Sequence, residues 1–472
     1  MSDAPPAPAE PAAPSAPAAA APPAAHVRAA DHPRAVLLRA TLWLLAGAAA
    51  LVLPFAVLMA GERPAARGFW WDFSIGMGFA ALALAGLQFA LTGRLRPLTH
   101  PFGADVVVVF HRFLSWGAVA LMLGHFGVLY VRYQDALGEL NPLTARWELT
   151  AARVALLCFV LLILTSELRQ RIKLPYRAWR LLHVGLAVTG FAAAVAHVLG
   201  VGQHTATPGK RALWLGVTLA WGLLLLYTRV LRPWRLKRNP WTVTANTPER
   251  GGVHTLTLRP QGKALHGWRP GQFAWLTVGA SPFALRDHPF TISTAPERGP
   301  ELQFSIKPLG DDTGRLVKTE PGTTAYVDGP YGVFSIDREA DAKGFVMIGG
   351  GIGITPLLAN LHALHARRDP RPVILLYFNE QWDEVSFREE LARLAADMPL
   401  TVVHVLNDPP DDWQGETGML DEALLERHLP AASRDWPHLL CGPAPLVSAA
   451  NDALLAMGVE RARIESEIFD MV

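Results

Sequence analysis

Residues 106–131, VVVVFHRFLSWGAVALMLGHFGVLYV, form one apolar stretch in which Arg112 is the sole charged residue. About 20 apolar residues cross the roughly 30 Å of hydrocarbon in a bilayer as an α-helix, so the stretch predicts a membrane span. His111 and His125 lie 14 residues apart within it. At 100° per residue both side chains fall on one helix face. The helical rise separates them by about 21 Å, so the span carries one imidazole towards each membrane surface.

Five further apolar stretches predict a bundle of six spans over residues 36–235. They lie at residues 40–61, 73–93, 150–168, 181–203 and 212–228. The fifth span repeats the pattern of the third, because His183 and His197 are again 14 residues apart. Both spans cross the membrane in the same direction. We therefore expect His111 to face His183 (the inner pair) and His125 to face His197 (the outer pair).

Three roles could explain why four histidines lie within the predicted spans. Ionisable side chains at membrane depth are uncommon and usually functional. Facing imidazoles at two levels suit two haems, each with one histidine on either side of the iron. Alternatively, each histidine is a hydrogen-bonding residue between helices. Zinc is the third possibility, although it needs ligands that converge on one point.

The composition agrees with a membrane protein and excludes several other classes. The 472 residues are 51% hydrophobic and 18% charged, whereas an average soluble domain is about a quarter charged. A formal net charge of +2 does not indicate a nucleic-acid partner. Two cysteines, Cys158 and Cys441, are too few for a four-cysteine iron–sulfur or zinc site or a disulfide scaffold. The lipid bilayer is the predicted surrounding of the bundle.

The chain ends are predicted to lie in the cytoplasm. Residues 1–35 should form a disordered tail, because residues 1–25 are almost entirely Ala and Pro. Six spans place both ends of the bundle on one side of the membrane. Basic residues concentrate there, including Arg169, Arg171, Lys173, Arg177 and Arg180 after the fourth span and Arg229, Arg232, Arg235, Lys237 and Arg238 after the sixth. The positive-inside rule makes that side cytoplasmic, and we expect a multi-pass protein of a bacterial inner membrane.

The sequence after Asn239 predicts two further domains. Residues 239–340 contain short alternating apolar and polar runs separated by Gly and Pro, typical of an antiparallel barrel or sandwich, and we expect a β-barrel that binds the flavin. Its expected strands are Trp241–Ala245, Thr255–Leu258, Phe273–Val278 and Leu302–Ile306. In residues 341–472 buried-strand runs alternate with helical runs, which predicts an α/β domain with a parallel sheet. The predicted fold class is therefore multidomain.

This combination of spans, histidines and following domains resembles the ferric reductase / NADPH oxidase superfamily, over residues 36–472. The resemblance implies a ferric reductase-like transmembrane domain fused to a ferredoxin–NADP reductase-type module that binds FAD and NAD(P)H. It also implies that His111, His125, His183 and His197 are the axial ligands of two b-type haems.

The run His288-Pro289-Phe290-Thr291-Ile292-Ser293 resembles the flavin motif of that superfamily. Phe290 would cover one face of the flavin, and Thr291 would place a hydroxyl near N5, the atom that receives the hydride. The resemblance implies further FAD contacts at Gln272, Phe273, Arg286, His288, Pro289, Ser293, Lys307, Gly310 and Thr313.

The run Gly349-Gly350-Gly351-Ile352-Gly353-Ile354-Thr355-Pro356 follows a buried strand and opens a helix. Glycines let the backbone approach a pyrophosphate, and a helix N-terminus favours its charge. The predicted nucleotide contacts are Gly349, Gly350, Gly351, Gly353, Thr355 and Pro356. Glu380, after the second strand of this domain, should face the adenosine ribose and favour NADH over NADPH. Arg388, about two helical turns further on, either compensates this charge or lies on a solvated helix face.

Two segments near the C-terminus resemble family features of the nicotinamide side. Cys441-Gly442-Pro443 resembles the turn beside the nicotinamide. Phe469, in the ending Glu467-Ile468-Phe469, resembles the aromatic residue that shields the flavin until nicotinamide displaces it. The predicted catalytic residues are therefore Thr291, Cys441 and Phe469.

These features predict a transmembrane oxidoreductase. Electrons would pass from cytoplasmic NAD(P)H through FAD and two haems to a small-molecule acceptor across the membrane, either ferric iron or another metal, or O2. Two alternatives stay open: a subunit that passes electrons to a partner protein, and a haem- or redox-sensing membrane protein. An intact nucleotide-binding half argues against the sensor, which has no use for an electron source.

Overall fold

The computed structural model describes residues 33–60, 67–96, 104–141 and 143–468. Within these ranges six helices are long and apolar enough to cross a membrane, as predicted. They are α1 (Pro33–Met59), α2 (Phe69–Leu91), α3 (Ala104–Arg132), α4 (Trp147–Glu167), α5 (Tyr176–Val201) and α6 (Pro208–Leu226). Helix α1 includes the last residues of the predicted tail. The disorder predicted for the rest of that tail lies outside the described residues.

The two helices that carry the histidines each pack against the preceding span, α3 against α2 and α5 against α4. Small residues permit this close approach. A Cβ atom on Gly190 would lie 3.0 Å from the Cβ of Cys158, and a Cβ on Gly124 would lie 3.0 Å from the Sδ of Met77. The bundle is therefore organised around two helix pairs, each with one histidine-bearing member.

The sixth span continues directly into the flavin domain. A π-helical turn, Tyr227–Leu231, follows α6, and the short helix α7 (Arg232–Lys237) leads into the first strand. The domain contains one antiparallel sheet in the order β4-β3-β6-β1-β2-β5. Its strands are β1 (Trp241–Pro248), β2 (His254–Pro260), β3 (Phe273–Val278), β4 (His288–Thr291), β5 (Leu302–Ile306) and β6 (Thr324–Tyr331). Helix α8 (Asp311–Leu316) lies between β5 and β6.

The predicted β-barrel is wrong, because this sheet is not closed. Strands β4 and β5 are its edges. A backbone hydrogen bond from the Ser293 N–H to the Gln303 carbonyl (2.8 Å) links the segment after β4 to β5, in place of a ladder. β4 has four residues, and its Pro289 has no N–H to donate to a further strand. Side chains alternate along these strands as predicted, but closure of the sheet into a barrel depends on whether its edge strands β4 and β5 pair.

The nucleotide domain is the α/β unit that the sequence predicts. Its sheet is parallel throughout, in the order β10-β9-β8-β7-β11-β12. The strands are β7 (Phe345–Gly350), β8 (Val373–Asn379), β9 (Leu400–Leu406), β10 (Glu416–Thr417), β11 (His438–Gly442) and β12 (Ile464–Ile468). The helices are α9 (Ile354–Ala366), α10 (Arg388–Asp397), α11 (Glu422–His428) and α12 (Ala444–Ala456). Two apolar clusters cover the sheet, one containing Met347 and Leu375 and the other Ile348 and Leu376.

Candidate functional site

The structure brings the two histidines of the inner pair together. The ring centroids of His111 and His183 are 6.3 Å apart, with 61° between the ring planes. A metal ion bonds an imidazole nitrogen at about 2 Å, so imidazoles on opposite sides of one ion have centres about 6 Å apart. A cavity beside the rings is lined mainly by apolar side chains of α2 to α5, including Phe159 and Phe191. The spacing and surroundings fit a haem iron between the rings.

Each of the four histidines uses Nδ1 for a hydrogen bond to the span that precedes its own. The distances are 2.6 Å for His111 to Gln88 Oε1, 2.8 Å for His125 to the Ser74 carbonyl, 3.2 Å for His183 to Ser166 Oγ and 3.0 Å for His197 to the Glu148 carbonyl. The inner pair therefore bonds to side chains and the outer pair to backbone carbonyls, with the Ser74 hydroxyl also 2.9 Å from His125 Nδ1.

These partners make Nδ1 the protonated nitrogen of all four rings. The two carbonyl oxygens can only accept. Gln88 accepts through Oε1 because its Nε2 donates to the Leu84 carbonyl (3.1 Å), and the Ser166 hydroxyl accepts because its own proton goes to the Leu162 carbonyl (2.7 Å). Each Nε2 is left unprotonated and free to bind a metal, as in metal sites whose histidines are oriented by a second hydrogen bond. The described residues hold no group of three or more His, Cys, Asp or Glu around one point, which does not favour zinc.

Strand β4 holds the predicted flavin motif at the sheet edge. Thr291 Oγ1 is buried and has no hydrogen-bond partner among the described residues, and the same is true of Arg286 Nε. Buried polar atoms normally have partners. Phe290 is only half-buried in the same strand. An unpartnered hydroxyl and guanidinium beside a partly exposed ring fit a bound flavin.

Other predicted FAD contacts already have partners within the protein. Gln272 Nε2 donates to the Gly332 carbonyl (2.8 Å), and Ser293 Oγ lies 3.1 Å from Ser305 Oγ. Phe273 pairs with Thr291 across β3 and β4. These residues therefore hold the flavin strand in place.

The segment predicted to bind the FAD pyrophosphate lies beside the flavin motif. His288 Nε2 is 3.4 Å from Asp312 Oδ2, and burial lowers the pKa of His288. Thr313 Oγ1 accepts hydrogen bonds from the N–H groups of Leu309 (2.9 Å) and Gly310 (3.0 Å). The Gly310 N–H, predicted to face the pyrophosphate, is thus engaged locally. Lys307 Nζ lies 3.8 Å from Glu384.

The glycine run and the turn at residues 441–443 meet at the carboxyl edge of the parallel sheet. A Cβ on Gly353 would collide with the Cys441 carbonyl oxygen and lie 2.8 Å from the Gly442 Cα. A Cβ on Gly350 would lie 3.1 Å from the Pro443 Cδ. Gly351 has a φ of +52°, which favours glycine, and no described atom lies within 4 Å of its would-be Cβ. The backbone of the glycine run packs closely against residues 441–443 and borders open space at the start of α9, which fits a bound pyrophosphate.

The remaining residues of the run support this turn. Gly349 leaves no room for a side chain, since a Cβ would lie 2.9 Å from Leu357 Cδ1. Thr355 and Pro356 are buried in the first turn of α9, where Thr355 Oγ1 donates to the Ile352 carbonyl (3.1 Å). Both residues support the turn, and their contact with a nucleotide stays a prediction.

The predicted catalytic residues have different settings. The Cys441 side chain is fully buried. Burial, helped by Glu467 on the adjacent strand, raises the pKa of its thiol well above the usual value. The turn therefore presents backbone rather than a reactive thiolate, and the catalytic assignment of Cys441 stays a prediction. Phe469 lies outside the described residues.

Glu380 is exposed just after β8, where the adenosine ribose was predicted. Its Oε2 accepts a hydrogen bond from Asn407 Nδ2 (3.1 Å). The guanidinium of Arg388 lies 4.3 Å from the Trp382 ring centroid and donates to the Trp382 carbonyl (3.3 Å). The carboxylate thus stays uncompensated by Arg388.

Sequence reasoning missed Asn360, one of the residues that link the flavin domain to the nucleotide domain. Asn360, buried in α9, accepts from the Ile336 N–H (2.9 Å) and donates to the Pro356 carbonyl (2.7 Å). A Cβ on Gly271 would lie 2.6 Å from Asn360 Nδ2. An amide side chain in an otherwise apolar helix could have drawn attention to Asn360. In the same way, Gln88 in an apolar span could have indicated a hydrogen-bond partner for a histidine.

Two family models match the chain. Residues 77–195 match a ferric reductase like transmembrane component, and residues 347–452 match an oxidoreductase NAD-binding domain. The FAD/NAD-binding domain of nitric oxide dioxygenase from Vibrio cholerae is a similar solved structure, with 27% identity, a TM-score of 0.43 and coverage of 49% of this chain and 98% of that one. Flavohemoglobin from Malassezia yamatoensis has 18% identity, a TM-score of 0.47 and coverage of 84% and 97%.

The curated relatives include NADH-cytochrome b5 reductase 1 of several fungi. The Candida albicans protein is 37% identical over 253 residues, which cover 52% of this chain and 84% of the relative. The Debaryomyces hansenii and Neosartorya fischeri proteins are 36% and 34% identical, and the chain spans 65% and 58% of their lengths. The chain belongs to the ferric reductase / NADPH oxidase superfamily, with a ferric reductase-like transmembrane domain joined to a ferredoxin–NADP reductase-type FAD/NAD module.

Proposed function

We propose that this chain carries electrons across a membrane, from NAD(P)H through FAD and two b-type haems to ferric iron, another metal or O2. Nicotinamide delivers two electrons as hydride and a haem accepts one at a time, so a flavin, which handles both, belongs between them. The proposed order ends with the inner haem, held by His111 and His183, and the outer haem, held by His125 and His197.

The observations that carry this proposal are the protonation and the spacing of the His111 and His183 rings. Two unprotonated Nε2 atoms lie on rings whose centres are 6.3 Å apart, and the Gln88 and Ser166 hydrogen bonds fix each ring. The second level repeats the same Nδ1 bonding 14 residues further along each helix, which supports a second haem.

The position of the flavin domain supports the order of transfer. An aromatic series leads from the flavin motif to the inner pair: the ring centroids are 6.4 Å apart for His288 and Tyr176, 5.5 Å for Tyr176 and Trp179, and 5.1 Å for Trp179 and His183. The inner pair is therefore the one nearer the flavin. With the positive-inside rule, we propose that both termini and the flavin domain are cytoplasmic and that the membrane is a bacterial inner membrane.

The proposal is tested by anaerobic spectroscopy of the purified protein in lipid nanodiscs. Addition of NADH or NADPH should convert the haem absorption to the reduced spectrum. Addition of a ferric chelate or of O2 should then reverse it, and the faster of the two identifies the acceptor. Absence of haem, or haem that stays oxidised while an artificial dye is reduced, would contradict the proposal.

We expect NADH to be preferred over NADPH by about tenfold or more in kcat/KM, because Glu380 would repel a 2′-phosphate and such a contact is worth ~1–3 kcal/mol. The isosteric Glu380→Gln variant should reduce this preference, whereas Arg388→Ala should not. The assay is steady-state oxidation of each nucleotide with ferricyanide as acceptor. A clear NADPH preference that survives Arg388→Ala would show that Glu380 does not face the ribose.

A further inference from the structure

A carboxylate of the flavin domain lies between two arginines of the membrane domain. Asp287, which directly precedes β4, forms ion pairs with Arg94, after α2, and with Arg180 of α5, whose Nη1 lies 2.8 Å from Asp287 Oδ1. The three side chains are 18%, 21% and 12% exposed. Although burial raises the pKa of the Asp287 carboxyl, the two guanidinium groups outweigh it and hold that pKa well below its usual range. The carboxylate is therefore charged at any physiological pH.

The backbone around this contact is strained on both sides. Arg94 has a φ of 51° and Leu285 a φ of 52°, in the left-handed region that side chains rarely adopt. Arg180 Nη1 also donates to the Leu285 carbonyl (3.1 Å). Such conformations persist where the surroundings impose them, and they cluster at functional positions. The strained residues are the ones that place the charges in contact.

Further contacts hold the same loop of the membrane domain. Arg232 Nη2 donates to the Gly93 carbonyl (2.7 Å), and Arg232 Nη1 lies 3.7 Å from Asp328 of β6. The Arg94 guanidinium lies 3.4 Å from the ring centroid of Trp275 in β3. Arg94 is thus fixed from two sides when it meets Asp287. Exposed ion pairs contribute little, but removal of one member of a largely buried set leaves an uncompensated charge.

We infer that Asp287, Arg94 and Arg180 form a docking clamp that holds the flavin motif beneath the inner pair. The inference rests on the proposed function. His288 follows Asp287 directly, and Tyr176, which it approaches, lies one helical turn before Arg180 on α5. The clamp thus sets the separation between the flavin motif and α5. Its arginines are positioning residues for electron transfer out of the flavin domain, and they do not take part in hydride transfer, which occurs on the nucleotide side.

The test replaces Arg180, which lies outside the FAD and nucleotide sites. In Arg180→Gln the rate of haem reduction after anaerobic mixing with NADH should fall about tenfold or more, because small misplacements of reacting groups cost rates of this order. Oxidation of NADH by ferricyanide should be unchanged, which also shows that the flavin module is folded. Hydrogen–deuterium exchange in residues 282–290 should increase. Arg180→Lys, which keeps the charge, should recover part of the rate and of the protection.

The matched control is Arg259→Gln. It breaks an exposed ion pair with Glu301 (2.6 Å) on the same domain, and it should change neither the rate nor the exchange. Unchanged exchange of residues 282–290 in Arg180→Gln, or increased exchange with an unchanged rate of haem reduction, would overturn the clamp. A wild-type protein without NADH-driven haem reduction would contradict the proposed function instead, and the exchange measurement would still test the docking contact.

Discussion

Replacement of His125 by alanine should remove the outer haem and abolish electron transfer across the membrane, while dye reduction by NAD(P)H continues. The His125 ring is oriented by the Ser74 carbonyl, so its Nε2 is the proposed ligand on the α3 side. Alanine leaves His197 as the remaining proposed ligand of the outer haem, and a haem with a single protein ligand should be lost during purification. The inner pair and the flavin domain are far from the change. The haem-to-protein ratio should therefore fall to about half.

Ser74→Ala is the matched control for this experiment. It removes the Ser74 hydroxyl, which lies 2.9 Å from His125 Nδ1, but it keeps the backbone carbonyl that accepts the same N–H. Haem content should stay at the wild-type value. An unchanged haem-to-protein ratio in His125→Ala would exclude His125 as a ligand.

A single methyl group at Gly353 should produce the second large effect. In Gly353→Ala the new Cβ would collide with the carbonyl oxygen of Cys441 and lie 2.8 Å from the Gly442 Cα. Both are backbone atoms, so relief requires the two turns to separate at the point where the pyrophosphate is predicted to bind. Overpacking of this kind typically costs about 1–3 kcal/mol. Misplacement of the nicotinamide should lower kcat/KM for NADH by ~10²-fold.

FAD content and ferricyanide kinetics together measure this effect. FAD should remain bound, because the flavin motif lies in the other sheet. Gly262→Ala is the control: this glycine is exposed, and its would-be Cβ has its nearest contact at 3.7 Å, on the side chain of Asn239. A kcat/KM for Gly353→Ala close to that of the control would mean that the nucleotide does not bind against this turn.

The sequence predicts those features that depend on local patterns of residues. Spacing identified the facing inner pair and the spans, and alternation located β3 and β5 to the residue. Strand β12 was missed because Glu465 and Glu467 interrupt its apolar pattern. Closure of the flavin sheet could not be judged, because it depends on how two distant edges meet.

Long-range partners were beyond the reach of the sequence for a different reason. Asp287 lies 193 residues after Arg94, and Arg180 was counted only as a signal of membrane orientation. The same basic residue can mark the cytoplasmic side and make a specific contact there. Only the packing of the domains distinguishes the two. The partners of the histidines likewise depend on which spans are neighbours.

The different hydrogen-bond acceptors at the two levels affect how mutation can change the redox potentials of the two proposed haems. The inner pair donates hydrogen bonds to the side chains of Gln88 and Ser166, each of which a single substitution can replace. The outer pair bonds to the backbone carbonyls of Ser74 and Glu148, which substitutions at those positions keep, and the Ser74 hydroxyl also lies 2.9 Å from His125 Nδ1. Hydrogen bonds to a metal-ligating imidazole adjust its basicity and hence the redox potential of the site. For the proposed haems, substitution of Gln88 or Ser166 should therefore shift the potential of the inner haem, whereas loss of the Ser74 hydroxyl leaves both carbonyl hydrogen bonds of the outer pair in place.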